Sequence, residues 1–432
     1  MEQYTQGSMN RAINFIFMAR WNGNIAIDAV QDALQRLYGR HHVLVYGNHR
    51  DISKIRKLPN NKFALTESNP CGQDTWKEVA AKELTISFPV DGPFVRVNLL
   101  QCAHQTDILL TFDHQVCDGM SGILFLRDLW FLLNHPLEKL PVLPLQPAVW
   151  EIIPEKVAKR ISGELRIAIF MCYLDFISRR NRGKGKYFTP QYHVESFSLN
   201  SQISQALVKR CREENTSVHA AISVAWMLAL QSLVNLSADR RDIRVNGIRS
   251  VSSPVSLRHL LPEDRRACAG MYYSTVTTQL DCNMSRNFWE SARQMKAQMD
   301  NECVKNSFYD MPLFFKSMYE RQARLAEGEK FQIPELPVGY DFSISNMGRL
   351  DSWFATENEN ITNNINAIFG PVVNAFKGEK TIGVSTIHGI IRFVFTTFQG
   401  DMDESTIHSL FEEVLGLIKI AIDPINKNLE VP

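Results

Sequence analysis

Asp113, His114, Asp118 and Gly119 fall within seven residues of one another, inside the stretch LLTFDHQVCDGMSGILFLRDLW (Leu109 to Trp130). His114 has an ordinary pKa near neutrality, so it can take a proton and return it. Asp118 has two roles open to it: touching the imidazole, or holding the loop through an ion pair. Gly119 permits either a positive φ or a close backbone approach. The N–H groups beside it stand near a helix start, where developing negative charge is favoured. The competing reading is structural: a histidine satisfied at a strand end, followed by an Asp-Gly turn. Cys117 invites a nucleophile role, but nothing nearby lowers a thiol pKa, so it reads as packing.

The neighbouring sequence must position these groups. Phe94–Gln101 alternates as a half-buried strand, and Thr106–His114 is apolar on both faces, as a fully buried strand is. The short segment Gln101–Gln105 joins them as a hairpin. Beyond Met120, Ile123, Leu126, Leu129, Trp130 and Leu133 recur at helical spacing. The loop therefore lies between a buried strand and a helix. Upstream, Gly23–Leu44 reads as a helix with Asp28 as its N-cap. Downstream, Ser204–Val234 is helix-rich, Ser274–Asp281 and Ile390–Phe398 read as strands, and Asp403–Ile422 reads as an amphipathic helix. Five prolines between His135 and Pro154 should interrupt regular structure.

These elements divide the 432 residues into an α/β lobe at 1–140, a Pro-rich and basic connection at 141–190, and a second α/β lobe at 191–432. A formal charge of +1, from 47 basic and 46 acidic residues, offers no basic field for nucleic acid. The eight cysteines are scattered without zinc spacing and read as reduced thiols of a cytoplasmic protein. No P-loop and no Gly-rich dinucleotide turn is present. Ile161–Ile177 is apolar but interrupted by Glu164, Arg166 and Asp175, and the basic run SRRNRGKGK follows it. This pair reads as a buried helix and a solvated linker. The alternative is a contact with a membrane surface or an acidic carrier protein.

HQVCDG (His114 to Gly119) resembles the H-x-x-x-D-G signature of the chloramphenicol acetyltransferase-like superfamily. That superfamily includes peptide-synthetase condensation domains, plant alcohol acyltransferases and polyketide-associated acyltransferases. Four further segments are similar in order. IDAVQDALQRLYGRHHVL resembles the first helix, and FPVDGPFVRVNLL the Gly-Pro-x-x-Arg-like approach to the motif strand. SSPVSLRHLLPEDRRACAGMYYSTV resembles the Pro-x-x-x-Arg stretch, and DFSISNMGRL the Ser-Asn-x-Gly element of the lipid-directed branch. Asp113 stands where many relatives have a first histidine. That Asp-His form also resembles dihydrolipoyl acyltransferase domains, in which the motif lies near the C-terminus and the subunits form trimers. Here most of the chain follows His114, which suits two lobes in one chain. The plant Asp-Phe-Gly-Trp-Gly signature is not matched.

The resemblance implies two similar α/β lobes with a substrate tunnel between them and His114 at its midpoint as general base. It implies a backbone N–H near Gly119 as oxyanion donor, an Asp118–Arg258 ion pair fixing the loop, and Asn346 and Gly348 lining the tunnel. It places His41 and His42 at a helix end, where protonated histidine complements the dipole. Arg249, Ser250 and Ser252 receive no role. The implied activity is that of a stand-alone, monomeric acyltransferase of secondary or lipid metabolism. No bound cofactor is implied; coenzyme A or a phosphopantetheine thioester is the co-substrate, and a hydroxyl or amine is the acceptor. The implied partners include an acyl or peptidyl carrier protein. Two other classes stay open: a non-catalytic ligand-binding scaffold, and a different histidine-dependent reaction such as cyclisation or epimerisation.

Overall fold

The computed structural model describes residues 12–41, 43–44, 64–68, 74–89, 93–144, 147–155, 161–181, 190–236, 247–283, 287–322, 339–355, 364–373 and 378–423. His42 and residues 182–186 of the basic run lie outside the described residues. Mixed α/β structure surrounds two sheets. The first contains β1 (Asn14–Asn22), β2 (Ala64–Ser68), β3 (Val95–Gln101), β4 (Gln105–Asp113) and β9 (Ile365–Val373), in the order β2-β3-β4-β1-β9. The second contains β5 (Tyr192–Ser198), β6 (Ile248–Ser256), β7 (Tyr273–Asp281), β8 (Phe342–Arg349), β10 (Lys380–Ile387) and β11 (Ile390–Phe398), in the order β5-β11-β10-β8-β6-β7.

The hairpin of β3 and β4 forms as its alternation requires, with Val95 opposite Phe112 and Leu99 opposite Ile108. β1 lies between β4 and β9 and was not read as a strand from the sequence. It is buried on both faces, so it shows no polar alternation. Phe15, Phe17 and Ala19 pack towards two helices, α1 (Ile27–Arg40) and α3 (Gly119–Asn134). Ile16 and Met18 face the other way, onto Trp76 and Ala80 of α2 (Thr75–Glu83) and Val194 and Phe398 of the second sheet. β9 comes from the C-terminal half of the chain yet completes the first sheet, antiparallel to β1.

The helices of the second lobe are α5 (Ser201–Glu213), α6 (Val218–Leu236), α7 (Phe288–Cys303) and α9 (Glu404–Ile422). They cover its sheet through a core that includes Trp226, Phe342, Phe393, Phe395 and Phe411. Asp403 caps α9 by accepting from the Thr406 N–H. In the connection, α4 (Ile161–Asn181) packs on α8 (Asp310–Gln322) through Ile167, Met171, Leu174 and Leu313. Among the described residues, the Pro-rich stretch before α4 holds only a 3₁₀ turn, Val149–Glu151.

Three readings of local structure change. The N-cap of α1 is Ala26, which carries no capping side chain, and Asp28 sits inside the first turn. α4 is not a buried helix: Leu165, Ile169, Tyr173 and Phe176 remain exposed. His41 ends α1 but does not serve the dipole as a cation. It is buried, and burial holds its pKa below the ordinary value despite the Asp128 carboxylate at 2.9 Å from Nε2. The charge at this junction comes from Arg40 and Arg127, 2.5 and 2.6 Å from Asp128. Asp128 thus joins α1 to α3. Asp128→Ala should cost about 1–3 kcal/mol in urea unfolding, because Arg40 retains the Pro141 carbonyl while His41 loses its acceptor.

Candidate active site

The loop after β4 is shaped by Asp113. Its backbone carbonyl accepts from Val116 N–H, and its Oδ1 accepts from Gln115 N–H at 2.9 Å. Burial pushes the Asp113 carboxyl up to about 7, against the lowering effect of the Gln115 hydrogen bonds and of the Arg96 charge. Cys117 is buried, its thiol directed at the Asp113 carbonyl, in keeping with a packing role.

His114 is half-buried at the seam of the two lobes. Its N–H donates to the Ile13 carbonyl, which ties the residue to the start of β1. Its ring stands edge-on to Phe15, with centroids 4.8 Å apart, and 6.0 Å from the ring of Tyr273 in the second lobe. Nδ1 lies 3.2 Å from the Cys117 carbonyl oxygen. A carbonyl only accepts, so the proton of the neutral ring belongs on Nδ1. Nε2 has no hydrogen-bond partner among the described residues and carries the free lone pair. Burial holds the His114 pKa below its ordinary value, opposed by the charge of Asp118 and the Cys117 carbonyl. A neutral imidazole at neutral pH is the result.

Asp118 makes no hydrogen bond to the imidazole. It is the N-cap of α3, accepting from Ser121 N–H at 2.8 Å and Ser121 Oγ at 2.7 Å. From the second lobe, Arg258 Nη2 reaches Oδ1 at 2.8 Å and Tyr272 N–H reaches Oδ2 at 2.9 Å. Burial alone would raise this carboxyl; the Arg258 charge and the Ser121 and Arg258 hydrogen bonds outweigh it and hold the pKa below the ordinary value. Arg258 is fixed in turn by the carbonyls of Arg266 and Cys268, at 3.0 and 2.6 Å. Ser121 extends the network to Gly270, accepting from its N–H at 3.0 Å. Of the two roles open to Asp118, the geometry is that of the ion pair.

Gly119 begins α3 and does not adopt a positive φ. The close approach is what applies: a Cβ there would meet Met347 Sδ at 3.3 Å. The Gly119 and Met120 N–H groups head the helix without intrahelical acceptors. Such groups can face developing negative charge.

Asn346 and Gly348 lie in β8. Asn346 Oδ1 accepts from Gly348 N–H at 2.8 Å, and Gly348 has φ 71° at an irregularity in the pairing with β10. This local closure presents the intervening Met347 to Gly119. The element meets the motif loop through the methionine, and among the described residues the Asn346 side chain makes no hydrogen bond to His114. Arg249 and Ser250 sit at the opposite end of β6 from Arg258. Asp341 Oδ2 accepts from Ser250 N–H at 2.7 Å, and Asp341 Oδ1 is 3.7 Å from buried Arg249. Ser252 is buried in β6.

Ser121, Tyr273 and Met347 were not singled out from the sequence. Only Ser121 left a signal there, three residues after the Asp118 cap. Tyr273 is on β7, and burial, then the Asp118 charge, push its phenol pKa up, so it stays protonated as a donor.

No family model and no curated protein matches this sequence. Solved structures do. Trichothecene 15-O-acetyltransferase from Fusarium sporotrichioides is similar with a TM-score of 0.66 at 12% identity, over 96% of this chain and 94% of that one. Polyketide synthase associated protein 5 from Mycobacterium tuberculosis has a TM-score of 0.61 at 13% identity, over 98% and 96%. The epimerization domain from the third module of tyrocidine synthetase B has a TM-score of 0.61 at 14% identity, over 97% and 94%. The chain therefore has the two-lobed fold of the chloramphenicol acetyltransferase-like condensation and acyltransferase proteins.

Proposed function

We propose that this protein is an acyltransferase moving an acyl group from a thioester, on coenzyme A or a carrier protein's phosphopantetheine, to a hydroxyl or amine. The observation that carries this reading is the orientation of His114, with Nδ1 held by the Cys117 carbonyl and Nε2 without a hydrogen-bond partner among the described residues. Nε2 takes the proton of the acceptor as its oxygen or nitrogen attacks the thioester carbonyl. The tetrahedral intermediate places its oxyanion near the Gly119 N–H. Collapse breaks the C–S bond, and the imidazolium returns its proton to the departing thiolate. The products are an ester or amide and a free thiol.

Asp118 and Arg258 position the loop and take no part in proton transfer. Asn346 and Gly348 shape the wall that Met347 presents. The reading extends to a cytoplasmic enzyme of secondary or lipid metabolism. Similarity to acyl-transferring neighbours supports the reaction class, and donor and acceptor are open to assay. The test is thiol release from a panel of acyl-CoAs and acyl-carrier proteins, with alcohols and amines as acceptors. Acceptor-dependent release with a product heavier by the acyl group is expected. An epimerisation would release no thiol and exchange a proton with solvent, and silence across the panel would favour a binding protein.

A further inference from the structure

α4 is apolar on two opposite faces. Ile167, Met171 and Leu174 form the inner one, packed on α8. On the outer one Leu165, Ile169, Tyr173 and Phe176 are 56%, 62%, 51% and 61% exposed, spaced as a single helical stripe. Cys172 lies on the same stripe and is also exposed. At one border Arg166 pairs with Asp310 of α8 at 2.6 Å. Among the described residues nothing covers the stripe, and no single helix there is long and apolar enough to cross a bilayer. A large exposed apolar stripe marks a surface that meets something.

We propose that the outer face of α4 lies on an anionic lipid surface, in the plane of the interface. The sequence from Ser178 to Lys186 contains five basic residues (Arg179, Arg180, Arg182, Lys184 and Lys186) and no acidic one. Residues 182–186 lie outside the described residues and enter here only through the sign of their charge. Leucine, isoleucine and aromatic side chains followed by a basic cluster match the composition of an interfacial helix. A second copy of this chain would bring two basic runs together. An acidic protein would satisfy the charge, but the stripe offers it little hydrogen bonding beyond the Tyr173 hydroxyl. The inference is independent of the acyl-transfer reading, since none of these residues belongs to the site.

The test is co-sedimentation of the full chain with vesicles of phosphatidylcholine, with and without phosphatidylglycerol. Binding to the anionic vesicles is expected, with at least about a tenfold loss of affinity in an Ile169→Glu/Phe176→Glu double variant. In a Tyr173→Trp variant the emission should shift to the blue and be quenched by brominated lipid. An unchanged unfolding midpoint in the double variant keeps the comparison valid. The proposal is overturned if neither vesicle binds, or if the double variant binds as well as wild type. It is also overturned if the stripe instead supports self-association or capture of an acidic carrier protein that the double substitution abolishes.

Discussion

His114→Ala should slow acceptor-dependent thiol release by about 10²–10⁴-fold, the usual worth of a positioned general base, with the fold intact. The side chain is half-buried and is held by a carbonyl within its own loop, so little structure depends on it. The pH dependence carries a separate signature. Burial lowers the His114 pKa, so the acid limb of the wild-type rate should lie below the ordinary histidine value of about 6.5. Rate should fall as pH drops through the lowered value, because only the neutral ring can accept the proton. Stability follows the same sign. The fold favours neutral His114, a contribution complete above the unfolded pKa and lost as pH falls from there through the folded one. In the alanine variant the acid limb should be absent and the acid loss of stability smaller, the remainder coming from buried His41, whose pKa is also depressed. Unchanged turnover in that variant would remove His114 from the chemistry.

Asp118→Ala should cost about 3–5 kcal/mol of stability, because it leaves the buried Arg258 guanidinium without its carboxylate. The single carboxylate serves Arg258, Tyr272 N–H, Ser121 N–H and Ser121 Oγ. Arg258→Ala should cost a similar amount, and the double variant less than the sum, since the second change removes a charge already without its partner. Urea unfolding of the three variants measures the coupling. Activity should fall in each through displacement of the loop, and the residual rate of Asp118→Ala should show its acid limb at lower pH than wild type, because the Asp118 charge raises the His114 pKa. In acid, the depressed Asp118 pKa gives a contribution present above the ordinary carboxylate value and lost as pH falls through the folded one. Additive losses would show that the pair does not act as a unit.

Much of this site is legible in the local chemistry of the sequence. The apolar run of β4, the spacing of Ile123, Leu126 and Leu129, and the charged loop between them belong to neighbouring residues, where periodicity speaks directly. Arg258 is 140 residues from Asp118, and its position came from resemblance to other proteins, not from spacing. Tyr273 and Met347 approach through the register of the second sheet and the bulge at Gly348, which leave no local mark. β1 escaped notice because burial on both faces erases alternation. The Asp-Gly pair read equally well as a turn with positive φ or a close approach. Helix α3 starts at Gly119, and this decides for the second.

The crossing of β9 into the first sheet makes the order of synthesis matter. The ribosome releases β1 early, while the strand that flanks it comes from the far end of the chain; Asn22 and Asn366, which share a hydrogen bond, are 344 residues apart. Until β9 arrives, one long apolar edge of the nascent sheet has no neighbour, the kind of edge on which chains pair wrongly. The amino-terminal half therefore cannot mature alone. Its first sheet is complete only once residues 365–373 have been made.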